Sequence, residues 1–121
     1  MHTLIFIYNA KSGTLNTLFD IGHKLLNPET YNCNLCTLTH DAFFENKTWK
    51  LFKENFNIDM KFYHADKFIK EYPKIDFNYP TILTQEGHQL KETISASEIN
   101  AMETVEELIS KIKDVCKLIL Q

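Results

Sequence analysis

The chain has 121 residues, of which 44% are hydrophobic and 24% are charged, and its formal net charge is −3 at pH 7. These values predict one soluble domain over 1–121 with enough apolar side chains for a core. The lysines are scattered among acidic residues, which argues against nucleic acid as a partner. The first apolar run is too short for a signal peptide or a membrane span, so we expect a cytoplasmic protein with no membrane partner.

The first half of the chain predicts one strand and two helices. Residues 3–9 form an apolar run rich in β-branched and aromatic types, which is typical of a buried central strand. Leucines then recur at helical spacing over 14–26, and Pro28 ends that pattern. Residues 28–40 show no clear period, so we predict a loop with one helical turn. Asn46 is placed to cap a second helix with an aromatic face.

The second half of the chain carries alternation, proline and capping signals. In chain order these signals predict a strand at 58–63, a helix at 65–71, strands at 81–84 and 88–94, and a closing helix after Thr104. Glu86-Gly87 indicates a hairpin, and Thr104 with Glu107 forms a T-x-x-E capping box. Because helices join the first three strands, we expect those strands to be parallel, with the fourth as an antiparallel edge.

The order of these elements, the stretch Tyr79-Pro80-Thr81-Ile82-Leu83 and the tight Glu86-Gly87 hairpin resemble the thioredoxin-like fold. The resemblance covers nearly the whole chain at the level of element order. It implies an α/β three-layer sandwich, with a central mixed sheet of about four strands and helices on both faces. It also implies a cis peptide bond before Pro80, which would face the loop after the first strand.

The position of the cysteine pair departs from that family's pattern. Thioredoxin-like oxidoreductases carry C-x-x-C directly after the first strand, where the start of a helix lowers the thiol pKa. Here Ala10-Lys11-Ser12-Gly13 stands in that place, and Cys33 and Cys36 follow in an insertion at about 27–45. The chain is also similar to a group of small uncharacterised bacterial proteins that pair an N-A-x-S-G turn with a C-x-L-C-x-L-T segment.

The first functional hypothesis is a metal site built on the two cysteines. Cys33 and Cys36 have the spacing that brings two thiolates onto one tetrahedral ion. Asp20 and His23 share a face near the end of the predicted helix, and a short loop returns the chain to them. We therefore expect His23 as the third ligand and Asp20 or His40 as the fourth. Zn²⁺ suits thiolate and imidazole ligands best, and Cu(I) is the second choice.

Two other hypotheses use the same segment. Cys33 and Cys36 can serve as the attacking and resolving thiols of a thiol–disulfide oxidoreductase, with a protein or a small thiol as partner. Alternatively, the chain is a non-catalytic protein-interaction module built on a degenerate redox scaffold.

Two further features are assigned minor roles. The turn with Ser12 and Gly13, beside Pro80, is a candidate anion or substrate site, although it lacks the P-loop pattern. Cys116 lies in a helical pattern, and we expect it to be a buried packing residue.

Overall fold

The structure is a computed structural model that describes residues 2–9, 33–40 and 45–119. Its elements in chain order are β1 (His2–Tyr8), α1 (Asn34–Thr39), α2 (Lys47–Asn55), β2 (Asp59–His64), α3 (Ala65–Glu71), β3 (Thr81–Glu86), β4 (Gln89–Ile94), α4 (Ala96–Asn100) and α5 (Val105–Ile119). The helix predicted over 14–26 lies outside the described residues. None of the described helices is both long enough and apolar enough to cross a membrane.

The four strands form one mixed sheet in the order β2-β1-β3-β4. Strand β1 runs parallel to β2, with Tyr8 opposite His64, and antiparallel to β3, with Ile7 opposite Thr81. Strand β4 pairs with β3 across the predicted hairpin, where Gly87 has the positive φ of 62° that glycine adopts readily. The predicted α/β class with a four-stranded mixed sheet is confirmed.

The expectation that the first three strands are parallel is wrong for β3, which runs antiparallel to β1. A parallel crossover needs a helix that carries the chain back along the whole length of a strand. Helix α3 has seven residues and spans about 10 Å, whereas a strand of six residues spans about 20 Å. The chain therefore enters β3 near the end of the sheet at which β2 stops.

Alternating side chains of β1 divide the core between the two faces of the sheet. Leu4, Phe6 and Tyr8 pack on one face with residues of α1, α2, α4 and α5. Ile5 and Ile7 point to the other face and pack with residues that include Phe68 of α3. Helices consequently cover both faces, and β1 is buried between them.

Side-chain caps fix where several helices begin. The Asn46 side chain accepts the backbone N–H of Trp49 at 3.1 Å, which confirms the predicted cap of α2. Thr104 accepts the N–H of Glu107 at 3.2 Å and so caps α5, as predicted. Helix α4 was not predicted, although Ser95 and Glu98 form a complete capping box before it.

Phe6 tests how strongly the fold depends on the core around β1. Its ring is fully buried and lies 5.5 Å from the Trp49 ring and 4.9 Å from the Phe62 ring, measured between centroids. We expect Phe6→Ala to lower the free energy of unfolding by about 3–5 kcal/mol, because it leaves a cavity in the core. Urea unfolding followed by tryptophan fluorescence measures this loss.

Phe62→Ala is the matched control, since Phe62 belongs to the same stack but is 39% exposed. We expect it to cost only about 1–2 kcal/mol. Equal losses for the two variants would contradict the central position of Phe6.

Candidate functional site

Of the predicted loop at 28–40, the structure describes 33–40, and Asn34–Thr39 form the six-residue helix α1. Leu35, Cys36, Leu38 and Thr39 are buried, and their spacing places them on one helix face. Cys33 is the N-cap residue, and its Sγ accepts the backbone N–H of Cys36 at 3.3 Å. The first cysteine thus lies at the start of a helix.

Cys33 also lies beside the carboxyl end of β1. The backbone N–H of Asn9, the residue after that strand, donates to Cys33 Sγ at 3.3 Å. Although an insertion separates the cysteines from the first strand in sequence, the fold brings Cys33 to the end of that strand. The physical reason is burial. Leu35 and Cys36 are fully buried on the face of the sheet that carries Leu4, Phe6 and Tyr8, and this packing brings the start of α1 to the sheet.

Cys33 and Cys36 are joined by a disulfide, with their Cα atoms 5.3 Å apart. This separation is one that a disulfide bridges without backbone movement. The exposed fraction is 3% for Cys33 and 0% for Cys36. Both cysteines are therefore buried, and Cys33 keeps a small exposed fraction.

The two residues between the cysteines anchor the turn in two different ways. Leu35 is fully buried in the core. Asn34 donates both hydrogens of its Nδ2 group, one to the carbonyl oxygen of Ile99 at 2.7 Å and one to that of Met102 at 2.9 Å. The C-x-x-C turn is thereby tied to the segment that joins α4 and α5.

Tyr8, the last residue of β1, lies between two histidine rings. Ring centroids are 6.1 Å apart for Tyr8 and His40, and 6.2 Å apart for Tyr8 and His64. Burial raises the pKa of the Tyr8 phenol far above its ordinary value, so the phenol stays neutral at physiological pH. The buried polar residues described are Thr39, Thr81 and Thr84, and none of them is a carboxylate. Glu45, which is partly buried, adds to the rise in the pKa of Tyr8, so one carboxylate does act on this end of the sheet.

Pro80 lies at the same end of the sheet as the cysteines. It is buried and directly precedes Thr81, which pairs with Ile7 near the end of β1. The Tyr79–Pro80 peptide bond is cis, as the resemblance implied. Register thus places Pro80 near Asn9, whose N–H contacts Cys33.

The proposed metal ligands are not assembled among the described residues. His40 Nδ1 lies 2.8 Å from Thr39 Oγ1, and within the described ranges no group of three histidine, cysteine or acidic side chains could hold an ion. Asp20 and His23 lie outside the described residues, so the zinc site and its Cu(I) alternative stay predictions. Ser12 and Gly13 also lie outside them, and the anion site at that turn is untested.

Two residues at the site were missed by reasoning from the sequence, Tyr8 and Asn34, whereas Asn9 begins the N-A-x-S-G turn already singled out. Asn34 offered one signal, since a carboxamide between two cysteines carries two hydrogen-bond donors. Its acceptors lie 65 and 68 positions further along the chain, which no local pattern indicates.

No protein-family model, curated protein or solved structure matches this chain. The chemistry of the site therefore follows from the contacts of its own residues.

Cys116 provides a test of the disulfide. It is a free cysteine and is 3% exposed, and burial raises the pKa of its thiol. Because only the thiolate reacts, we expect Cys116 in the oxidised, folded protein to be alkylated at pH 8 at least ~100-fold more slowly than in denaturant. Mass spectrometry after timed alkylation measures this ratio.

The number of cysteines that are alkylated supplies the control for the alkylation experiment. Of the three cysteines, only Cys116 should be labelled in denaturant without a reductant, and the other two only after reduction. In the Cys116→Ala variant, no cysteine should be labelled in denaturant unless a reductant is added. Three labelled cysteines without a reductant would contradict the Cys33–Cys36 bond.

Proposed function

We propose that this chain is a thioredoxin-like thiol–disulfide oxidoreductase that uses Cys33 and Cys36. The observation that carries the proposal is the bonded pair at the start of α1, with Cys33 Sγ in contact with the N–H of Asn9 at the end of β1. The strand arrangement supports the fold part of the proposal. A parallel β1–β2 pair is extended by two antiparallel strands, and Pro80 begins β3 beside the site.

Cys33 is the attacking thiol in this proposal. Its Sγ accepts two backbone N–H groups, those of Asn9 and Cys36, both at 3.3 Å. In the reduced protein such hydrogen bonds favour the thiolate over the thiol, since bonds to a charged acceptor are the stronger ones. Cys36 is fully buried and is better suited to resolve an intermediate than to meet a substrate.

The exchange proceeds in two displacements. The Cys33 thiolate attacks one sulfur of a substrate disulfide, forms a mixed disulfide and expels the other substrate sulfur as a thiolate, which takes up a proton. Cys36 then loses its proton to solvent and attacks Cys33 Sγ, which closes the Cys33–Cys36 bond and releases the second substrate thiol. Two electrons pass from the protein to the substrate. The two departing substrate sulfurs take up two protons through solvent, one of them released by Cys36.

The direction of exchange depends on the compartment. In the reducing cytoplasm expected from the sequence, the pair rests as a dithiol and the protein reduces disulfides of proteins or of small thiols. The reaction runs in reverse when the Cys33–Cys36 disulfide takes two electrons from a pair of substrate thiols, which leave as a disulfide.

The metal hypothesis competes with this proposal for the same two sulfurs. Zn²⁺ or Cu(I) requires both of them as thiolates, so only the reduced protein can bind the ion. The interaction-module hypothesis requires neither exchange nor metal. Both stay predictions, and the experiment below separates them from the redox proposal.

Equilibration of the folded protein with glutathione buffers tests the proposal. We expect a two-electron transition with a midpoint between about −270 and −120 mV, the range of dithiol oxidoreductases, rather than below about −300 mV as for structural disulfides. Alkylation after acid quenching, followed by mass spectrometry, gives the oxidised fraction. Cys33→Ser and Cys36→Ser should each abolish the transition.

Cys116→Ala is the matched control and should leave the midpoint unchanged, because Cys116 is not part of the pair. The redox proposal fails if the pair stays reduced at oxidising potentials or oxidises only in denaturant. Elemental analysis of the reduced protein tests the metal hypothesis. One equivalent of zinc or copper that is lost in Cys33→Ser would favour that hypothesis instead.

A further inference from the structure

We propose that Asn34 is a positioning residue that holds the C-x-x-C turn closed, so that the two thiols stay near bonding distance in the reduced protein. This inference rests on the proposed function, because it concerns how the Cys33–Cys36 pair opens and closes. Asn34 acts through the backbone of the turn and takes no part in electron transfer.

The contacts of Asn34 use its full donor capacity. A carboxamide carries two N–H donors. One donates to the Ile99 carbonyl at 2.7 Å and the other to the Met102 carbonyl at 2.9 Å. The first residue of α1 is therefore fixed by two hydrogen bonds to a distant part of the chain.

The two acceptor carbonyls belong to a segment whose own position is fixed by burial and hydrogen bonds. Ile99 lies in the last turn of α4 and is fully buried, and its carbonyl also accepts the N–H of Met102 at 3.1 Å. The start of α4 is fixed by the Ser95–Glu98 capping box. A carbonyl oxygen has two lone pairs, so the Ile99 carbonyl accepts the Asn34 side chain in addition to the N–H of Met102. The anchor of the turn is thus a rigid one.

Neighbouring contacts hold the rest of the turn. Leu35 is fully buried, and the Cys33 carbonyl accepts the backbone N–H of Thr37 at 3.1 Å. Replacing Leu35 would open the core, and replacing Cys33 would remove a reacting sulfur. Asn34 is the residue of the turn that can be changed while the sulfurs and the core packing stay intact.

Closure of the turn couples the Asn34 hydrogen bonds to the disulfide. Both require the same backbone geometry, so each stabilises the other, and the coupling is reciprocal. Without the anchor, the two thiols of the reduced protein sample wider separations, and the effective concentration of one near the other falls. The disulfide then becomes less stable relative to the dithiol. By the same linkage, formation of the disulfide strengthens the attachment of α1 to the α4–α5 segment.

The test compares Asn34→Ala with Asn55→Ala in glutathione buffers. Asn55 is the matched control, since its Nδ2 donates to the Leu51 carbonyl at 2.8 Å within α2. We expect the equilibrium constant for oxidation to fall five- to tenfold in Asn34→Ala, which is about 20–30 mV toward less negative potential, and to be unchanged in Asn55→Ala. Asn34→Gln, which keeps both donors on a longer stem, should restore part of the loss.

A second readout separates this inference from the proposed function. The pair is oxidised with diamide, and urea midpoints of oxidised and reduced protein are compared. The difference between the two urea midpoints should be smaller in Asn34→Ala than in the wild type and unchanged in Asn55→Ala. This result is expected even if glutathione does not exchange with the Cys33–Cys36 pair.

An unchanged equilibrium constant, or equal shifts in both variants, would overturn the role of Asn34. Failure of the wild-type pair to equilibrate, with the urea difference still sensitive to Asn34, would instead overturn only the oxidoreductase. If Asn34→Ala does not fold, the equilibrium constants of wild type, Asn34→Gln and Asn34→Ser should decrease in that order, and any other order contradicts the proposal.

Discussion

Burial of β1 on both faces is the constraint on which the rest of the structure depends. The strand pairs with β2 on one side and with β3 on the other. Its alternate side chains enter two separate cores, one that includes Phe6 and one that includes Ile7. Because every face and edge of β1 is used, the position of its carboxyl end is fixed. Residues that contact the carboxyl end of β1 are therefore held in a defined place.

The cysteine pair is held at that end by contacts of three different kinds. Burial of Leu35 packs α1 with the core, the N–H of Asn9 donates to Cys33 Sγ, and the Asn34 side chain donates to carbonyls in the last turn of α4 and just after it. Each contact fixes a different atom group of the same turn. The turn that carries the two sulfurs is therefore held by the core, by the end of β1 and by the Asn34 side chain.

Local signals predicted the parts of the fold that depend on local contacts. The run that becomes β1, the Asn46 cap and the Thr104 cap are all set by neighbouring residues, and all were correct. The direction of β3 was predicted wrongly, because it depends on whether the helix between β2 and β3 is long enough to carry the chain back along the sheet. Local signals did not predict the contact of Cys33 with the end of β1, since that contact is a hydrogen bond to a residue 24 positions away.

Capture of a mixed disulfide tests the central claim most directly, namely that Cys33 is the attacking thiol of a reversible redox pair. Reduced Cys36→Ser and Cys33→Ser, each in a Cys116→Ala background, are exposed to glutathione disulfide under native conditions and analysed by mass spectrometry. The account predicts that Cys33 in the first protein binds one glutathione at least ~10-fold faster than Cys36 in the second. Equal rates, or faster capture by Cys36, would contradict it.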